Sequence, residues 1–311
     1  MSTDNEKIQR LISIAKLYYL ENMTQSEIAK IVGVSRPLIS KFLTEARELG
    51  LVKIEINDIL KDNVQEESRT EELCKKYSLK DVYIVPSSSN KNLNDQIFMD
   101  YSLEYIFNQY KNSQILGIGW GNTIGGILER TDSKDRYIFS GTVVPLIGNA
   151  PVSHRNYHTN ELIRMLSEKT NLISKYLYLP FLCSSNIEKE MFLKTENLRE
   201  VSHYWNKIDC SIVQIRNFPS APDLATEARF GKVLQDKKAV GMFLSYYFDI
   251  NGNILKGEND FSIQIPLESL KSNKKVIGII NKRVHPSAVM GALKTGFFTH
   301  IIIDSGVANL I

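Results

Sequence analysis

The 311-residue sequence predicts an α/β protein in two parts: an all-α, N-terminal helix-turn-helix closed by a wing-like strand, then a doubly wound α/β domain. Up to residue 49 the apolar positions recur only at helical spacing. From residue 81 onward, short apolar strand-like runs alternate with helix-like stretches, the pattern of a mostly parallel sheet covered by helices. No apolar run reaches the roughly 18 residues that a membrane-spanning helix needs. The start, MSTDNEKIQR, is acidic and polar where a signal peptide would be basic and then apolar, so a cytoplasmic protein is expected.

In the first part, Ile8, Leu11, Ile12, Ala15 and Tyr18 mark one helix, and Asn22 breaks it. Thr24 and Glu27 have the spacing of a capping box, which opens a second helix with Ile28, Ile31 and Val32 expected on its buried face. Gly33 suits the left-handed residue that ends a helix, and Ser35 is placed to cap a third. Pro37 fits the first turn of that third helix, where its missing N–H costs nothing. Ile39, Phe42, Leu43, Ala46 and Leu49 are its apolar positions, and Gly50 stops it. Leu51 to Ile56 then alternates apolar and polar as a short strand, so the first domain is expected over residues 1–56 and the second over 57–311. Asn57 to about Thr70 reads as a linker or connecting helix.

Bulk charge does not announce a nucleic-acid binder. The formal net charge is +3, and residues 1–57 hold eight Lys and Arg against seven Asp and Glu. The pattern is more telling: a short capped helix, a turn of about four residues and a second helix with a polar start form a helix-turn-helix. Ser35, Arg36 and Pro37 begin the helix that would enter the major groove, and Ser40, Lys41 and Thr44 continue its outer face. Arg36 suits guanine edges or phosphate, while Gln25 and Ser26 suit phosphate contacts at the start of the preceding helix. A three-helix packing module that never meets DNA has the same outline.

In the second part, strands are expected at Asp81–Val85, Gln114–Ile118, Thr142–Leu146, Cys210–Ile215, Lys275–Ile280 and His300–Ile303. Helices are expected at Asp95–Asn108, Thr159–Glu168, Leu198–Lys207 and Pro286–Lys294. Ile115 to Ile124 reads as a strand, a glycine-rich turn and a helix start. Gly119 and Gly121 would let the backbone approach an anion, with Asn122 and Thr123 as further donors, although such turns also need glycine for steric reasons. Cys74, Cys183 and Cys210 are odd in number and isolated, and are expected to be reduced and structural. His154 and His158 invite a metal reading, but no carboxylate or cysteine stands at a spacing that completes a set, so neither metal nor cofactor is expected.

AKLYYLENMTQSEIAKIVGVSRPLISKFLTEARELGLVKIEI resembles the N-terminal domain of SorC-type bacterial regulators, and the likeness continues through ILGIGWGNTI, VVPLIGN, AVGMFLSYYFDINGNI and ALKTGFFTHIIIDSGVANLI. The resemblance implies an effector domain similar to the amino-sugar phosphate deaminase and ribose-5-phosphate isomerase fold. It implies operator DNA and a phosphorylated sugar as partners, and a homo-oligomer, typically a tetramer. It carries Gly148 and Asn149, Asp249, Lys282 and His285 into the expected effector site beside the glycine-rich turn. Asp249 is the family's sugar-hydroxyl acceptor, though it also reads as a turn residue beside Asn-Gly; Asp304 reads equally as an N-cap.

The chain departs from the family at several of these positions. Where many members carry a glycine pair and a phosphate-reaching lysine, it has Asn281-Lys282 and then His285-Pro286. Some members form a Schiff base through a lysine whose matching residue here is Ile147, which cannot form one. Gln214-Ile215-Arg216 replaces a Gly-Ile-Gly, which narrows the pocket or places a cation in it. The leading expectation is an effector-responsive DNA-binding regulator. A regulator with a reassigned pocket is the alternative, and an isomerase-like enzyme lacks a convincing acid–base pair beyond Asp249 and His285.

Overall fold

The computed structural model describes residues 2–52, 64–88, 90–111, 113–131, 139–220 and 229–311, and the chain divides into two compact units, Met1–Asp62 and Asn63–Ile311. The first unit contains α1 (Ser2–Tyr19), α2 (Gln25–Val32) and α3 (Arg36–Glu48). Asn22 takes a left-handed φ of 54° between α1 and α2. The capping box forms: Thr24 Oγ1 accepts from the Glu27 N–H, and the Glu27 carboxylate accepts from the Thr24 N–H at 2.8 Å. Those bonds from Thr24 hold the Glu27 carboxyl below the usual carboxylate range. Gly33 ends α2 at φ 71°, a conformation that costs a residue with a Cβ.

Leu11, Ile14, Ala15, Ile28, Ala29, Ile39, Leu43 and Ala46 form the buried interior of this unit. Lys7 pairs with Glu45, and the Arg10 guanidinium lies 5.2 Å from the Phe42 ring centre, so α1 holds α3 by charge as well as by packing. Several sequence expectations fail here. Ile31 is 63% exposed and Leu49 55% exposed, and Ala29 takes the buried place instead of Ile31. An eight-residue helix makes little more than two turns, so its contact with α1 and α3 is narrow and Ile31 falls outside it. Leu51 and Val52 are not strand; they pack on Leu11, Ala15 and Ala46. The strand expected over Lys53–Ile56 and the boundary at residues 56 and 57 lie outside the described residues.

The second unit opens with α4 (Val64–Tyr77), whose Arg69 donates through Nε and Nη2 to the Ala308 carbonyl at 3.2 and 2.8 Å. Then follow β1 (Asp81–Val85), α5 (Lys91–Tyr110), β2 (Ile115–Ile118), α6 (Asn122–Glu129), β3 (Thr142–Pro145), α7 (Thr159–Ser167) and β4 (Ile173–Ser174). The chain continues through α8 (Asn186–Leu193), α9 (Glu196–Trp205), β5 (Cys210–Asn217), α10 (Val233–Asp236), β6 (Gly241–Phe243), β7 (Tyr246–Phe248) and β8 (Ile254–Leu255). It closes with α11 (Leu267–Ser272), β9 (Lys275–Ile280), α12 (Pro286–Lys294), β10 (His300–Asp304) and α13 (Ser305–Ala308).

Seven strands form a parallel sheet in the order β1-β10-β9-β5-β2-β3-β4. From β2 the chain moves outward to β3 and β4, then returns to the other side of β2 with β5 and moves away through β9 and β10. With right-handed crossovers, opposite directions of travel place the helices on opposite faces, and a crevice opens between β2 and β5 at the carboxyl ends of the strands. The strands are continuous apolar runs because both faces are covered: Ile277, Ile279, Ile280, Ile302 and Ile303 are fully buried. Two parts of the sheet were not expected: the two-residue edge strand β4, and an antiparallel ribbon. The carboxyl half of β5 turns from its parallel neighbours and pairs antiparallel with β6, with Ile215 opposite Phe243, and β7 and β8 extend that ribbon.

Candidate functional site

In the first unit, the starts of α2 and α3 meet around a cleft lined by Tyr18, Tyr19, Asn22, Gln25, Ser26 and Arg36, among others. Ser26, Ser35, Arg36, Pro37, Ser40, Lys41 and Thr44 are exposed, and Gln25 is half-buried. Ser35 stands at the N-cap position of α3 but makes no side-chain cap bond, so its hydroxyl is left to solvent. Thr44 donates its hydroxyl to the Ser40 carbonyl at 3.1 Å. The first turn of α3 carries no acidic residue, and neither Arg36 nor Lys41 has an ion-pair partner among the described residues. The backbone donors left at the start of α2 and the Arg36 guanidinium therefore share one cleft, which suits an anion.

In the second unit, the crevice between β2 and β5 holds a cleft of about 300 Å³. Its polar wall includes Asn122 and Thr123 at the start of α6, Gln214 and Arg216 on β5, and Asn281 after β9; Phe98, Met99 and Val284 supply apolar surface. Thr123 is nearly buried: its N–H donates to Gln214 Oε1 at 3.1 Å, and its hydroxyl accepts from Asn281 Nδ2 at 2.7 Å. Gly121 has φ 132°, which demands glycine, and Gln214 Oε1 lies 2.1 Å from where a Cβ would stand. Arg216 is 7% exposed, lies 5.2 Å from the Tyr157 ring centre and donates through Nη2 to Ser220 Oγ at 3.1 Å. Burial raises the Tyr157 hydroxyl's pKa, with the Arg216 charge opposing. Arg283 pairs with Asp95 at 2.8 Å.

Asn122, Thr123 and Gly121 thus stand at the cleft, but the other expected effector residues do not line it. Gly119 is buried, its N–H donating to the Ile212 carbonyl at 2.9 Å, and serves packing beneath Leu244. Gly148 lies against the backbone of Leu179 and Pro180, and Asn149 donates to the Leu177 carbonyl at 2.9 Å, so both pin the segment before α8. Asp249 closes the turn between β7 and β8: it accepts from the N–H groups of Asn251 and Asn253 and from Asn253 Nδ2, each at 2.9 Å. Burial alone would raise its pKa, but these bonds hold it below the usual carboxylate range. Lys282 faces Asp95 at 3.6 Å, and exposed His285 heads α12, with its ring on Ser287.

His154 and His158 serve the turn before α7, accepting from the Asn156 N–H and donating to the Val152 carbonyl respectively. Tyr157 is buried in the cleft wall. Asp304 caps α13 through the Gly306 N–H at 2.9 Å. No group of three metal-ligating side chains occurs among the described residues, and none of their helices is long and apolar enough to cross a membrane. Sequence reasoning missed Asp95 and Ser220 as lining residues. Nothing in the local pattern of α5 distinguishes Asp95 from an ordinary solvated helix residue; its pairing with Lys282 and with Arg283, 188 positions away, reveals it.

Residues 62–311 match the Sugar-bind family of sugar-binding domains. The deoxyribonucleoside regulator of Bacillus subtilis is 28% identical over 317 residues, covering 99% of this chain and 98% of that protein. The sorbitol operon regulator of Klebsiella pneumoniae is 25% identical, covering 99% of each. The crystal structure of full-length SorC from Klebsiella pneumoniae superposes with a TM-score of 0.73 at 24% identity, covering 97% of this chain and 98% of that one. The similarity runs from end to end, through both units, and the relatives it reaches are regulators. The chain belongs to the sugar-binding domain family and is a transcriptional regulator of the SorC type.

Proposed function

We propose that α2, the Gly33 turn and α3 are a helix-turn-helix that holds operator DNA, with α3 in the major groove and the large unit, similar to the sugar-phosphate isomerase and deaminase fold, as its sensor. Arg36 and Lys41 reach base edges or phosphate, with Ser35, Pro37, Ser40 and Thr44 along the same face. Gln25 and Ser26 hold the backbone at the start of α2. The observation that carries this reading is the exposed, acid-free start of α3, with Arg36 available for a bidentate contact. A sugar-type effector in the cleft between β2 and β5 binds one arrangement of a homo-oligomer, a tetramer in this reading, more tightly than another, and shifts operator affinity by that difference.

DNase footprinting of the DNA upstream of its own coding region tests the reading. Protected segments spaced by whole helical turns are expected, because a symmetric oligomer presents its recognition helices to one face of the duplex. Affinity for unrelated duplex equal to that for the upstream DNA would contradict it.

A further inference from the structure

A side chain from β5 occupies the head of α6. Gln214 projects from β5 and accepts the Thr123 N–H at 3.1 Å, and its Oε1 fills the hollow left by the missing side chain of Gly121. The exposed donors at a helix start suit a phosphate, because they carry the positive end of the helix dipole. Here one of them is already satisfied from inside the protein. We infer that Gln214 sets the ligand class of the cleft: its carboxamide holds the place that a phosphate would take, so the cleft receives an unphosphorylated sugar or polyol. This rests on the reading of the cleft as the effector site.

The lysine and arginine that follow β9 are already engaged. The Arg283 guanidinium is engaged by Asp95 at 2.8 Å, and the Lys282 ammonium faces the same carboxylate at 3.6 Å. Arg216 lies over Tyr157 and donates to Ser220. Beside Arg216, the space is faced by the amides and hydroxyls of Asn122, Thr123, Gln214, Ser220 and Asn281 over apolar surface, chemistry that bonds to sugar hydroxyls as donor and as acceptor. A sugar hydroxyl can donate to Gln214 Oε1 where it sits. A phosphate brings only acceptors to that point, and must displace the carboxamide to reach the Thr123 N–H.

The test uses the full-length protein, with inorganic phosphate as the probe of the α6 start, read by calorimetry and by melting temperature. Gln214→Ala and Gln214→Ser are expected to bind phosphate at least tenfold more tightly than the wild type. Gln214→Glu is expected to bind it no more tightly than the wild type, because its carboxylate keeps the same donor occupied. Matched pairs of sugars and their phosphates supply a second readout: in the wild type the parent sugar of the stabilising pair raises the melting temperature more than its phosphate does. The alanine and serine variants must keep the wild-type circular dichroism, and either one alone suffices. Phosphate affinity equal within twofold in wild type and both variants, or a sugar phosphate outperforming its parent sugar on the wild type, overturns the role of Gln214 and leaves the effector site standing. If no sugar, sugar phosphate or phosphate stabilises any of the four proteins, the cleft is not the effector site and both readings fall.

Discussion

Arg36→Ala is expected to reduce affinity for the upstream DNA to the level of unrelated duplex, while the protein stays folded and keeps its oligomeric state. Arg36 is exposed at the first position of α3 and contributes nothing to the buried interior of its unit, so its removal leaves the fold alone. One bidentate arginine–guanine contact is worth about 1–3 kcal/mol of discrimination, and a symmetric regulator loses it at each half-site. Fluorescence anisotropy on labelled duplex at fixed salt measures the loss; salt must be fixed because phosphate contacts alone change affinity steeply with ionic strength. Unchanged affinity would mean that another surface meets the groove.

The second large effect concerns stability. Arg229 is 2% exposed and donates through Nε and Nη2 to Asp260 Oδ1, at 3.1 and 2.7 Å, with its other bonds to Ser245. Its guanidinium also lies 4.9 Å from the Phe230 ring centre and 5.7 Å from that of Tyr247. Asp260→Ala leaves this cation buried without its carboxylate, a change that costs about 3–5 kcal/mol. For a domain of this size that lowers the melting temperature by roughly 10 °C. The double change Asp260→Leu with Arg229→Met, which removes both charges, is expected to recover much of the loss. A single variant that melts with the wild type would show that the pair carries no such weight.

Local rules were legible in the sequence where a feature depends on its immediate neighbours. Thr24, Glu27 and Gly33 do what their spacing says, and α12 spans Pro286–Lys294 as its pattern predicts. Six of the parallel strands were legible because a strand covered on both faces must be apolar throughout, whereas the short, exposed edge strand β4 was not. What depends on distant partners was not. The β6–β8 ribbon exists only because the carboxyl half of β5 leaves the parallel sheet to meet it, and its strands of two or three residues carry too little periodicity to announce themselves. Asp249 has a carboxylate suited to sugar hydroxyls, yet the turn formed with Asn251 and Asn253 uses both of its oxygens. Gly119 and Asn149 have the composition of a binding loop but serve packing and backbone bonds. Gln214 was visible as a departure; that its amide would seat itself at the head of α6 required the sheet order that brings β5 beside β2.

The central claim is that the cleft and the DNA surface are coupled. It is tested most directly by measuring operator affinity with and without the sugar that most raises the melting temperature of the full-length protein. A ligand at a hundred times its dissociation constant stabilises by about 2.7 kcal/mol, so the hit is readily found. A change in operator affinity of about tenfold is expected, matched by the same factor in the affinity for the sugar when DNA is bound, because the coupling is reciprocal. Equal operator affinity with the cleft empty and saturated would contradict it.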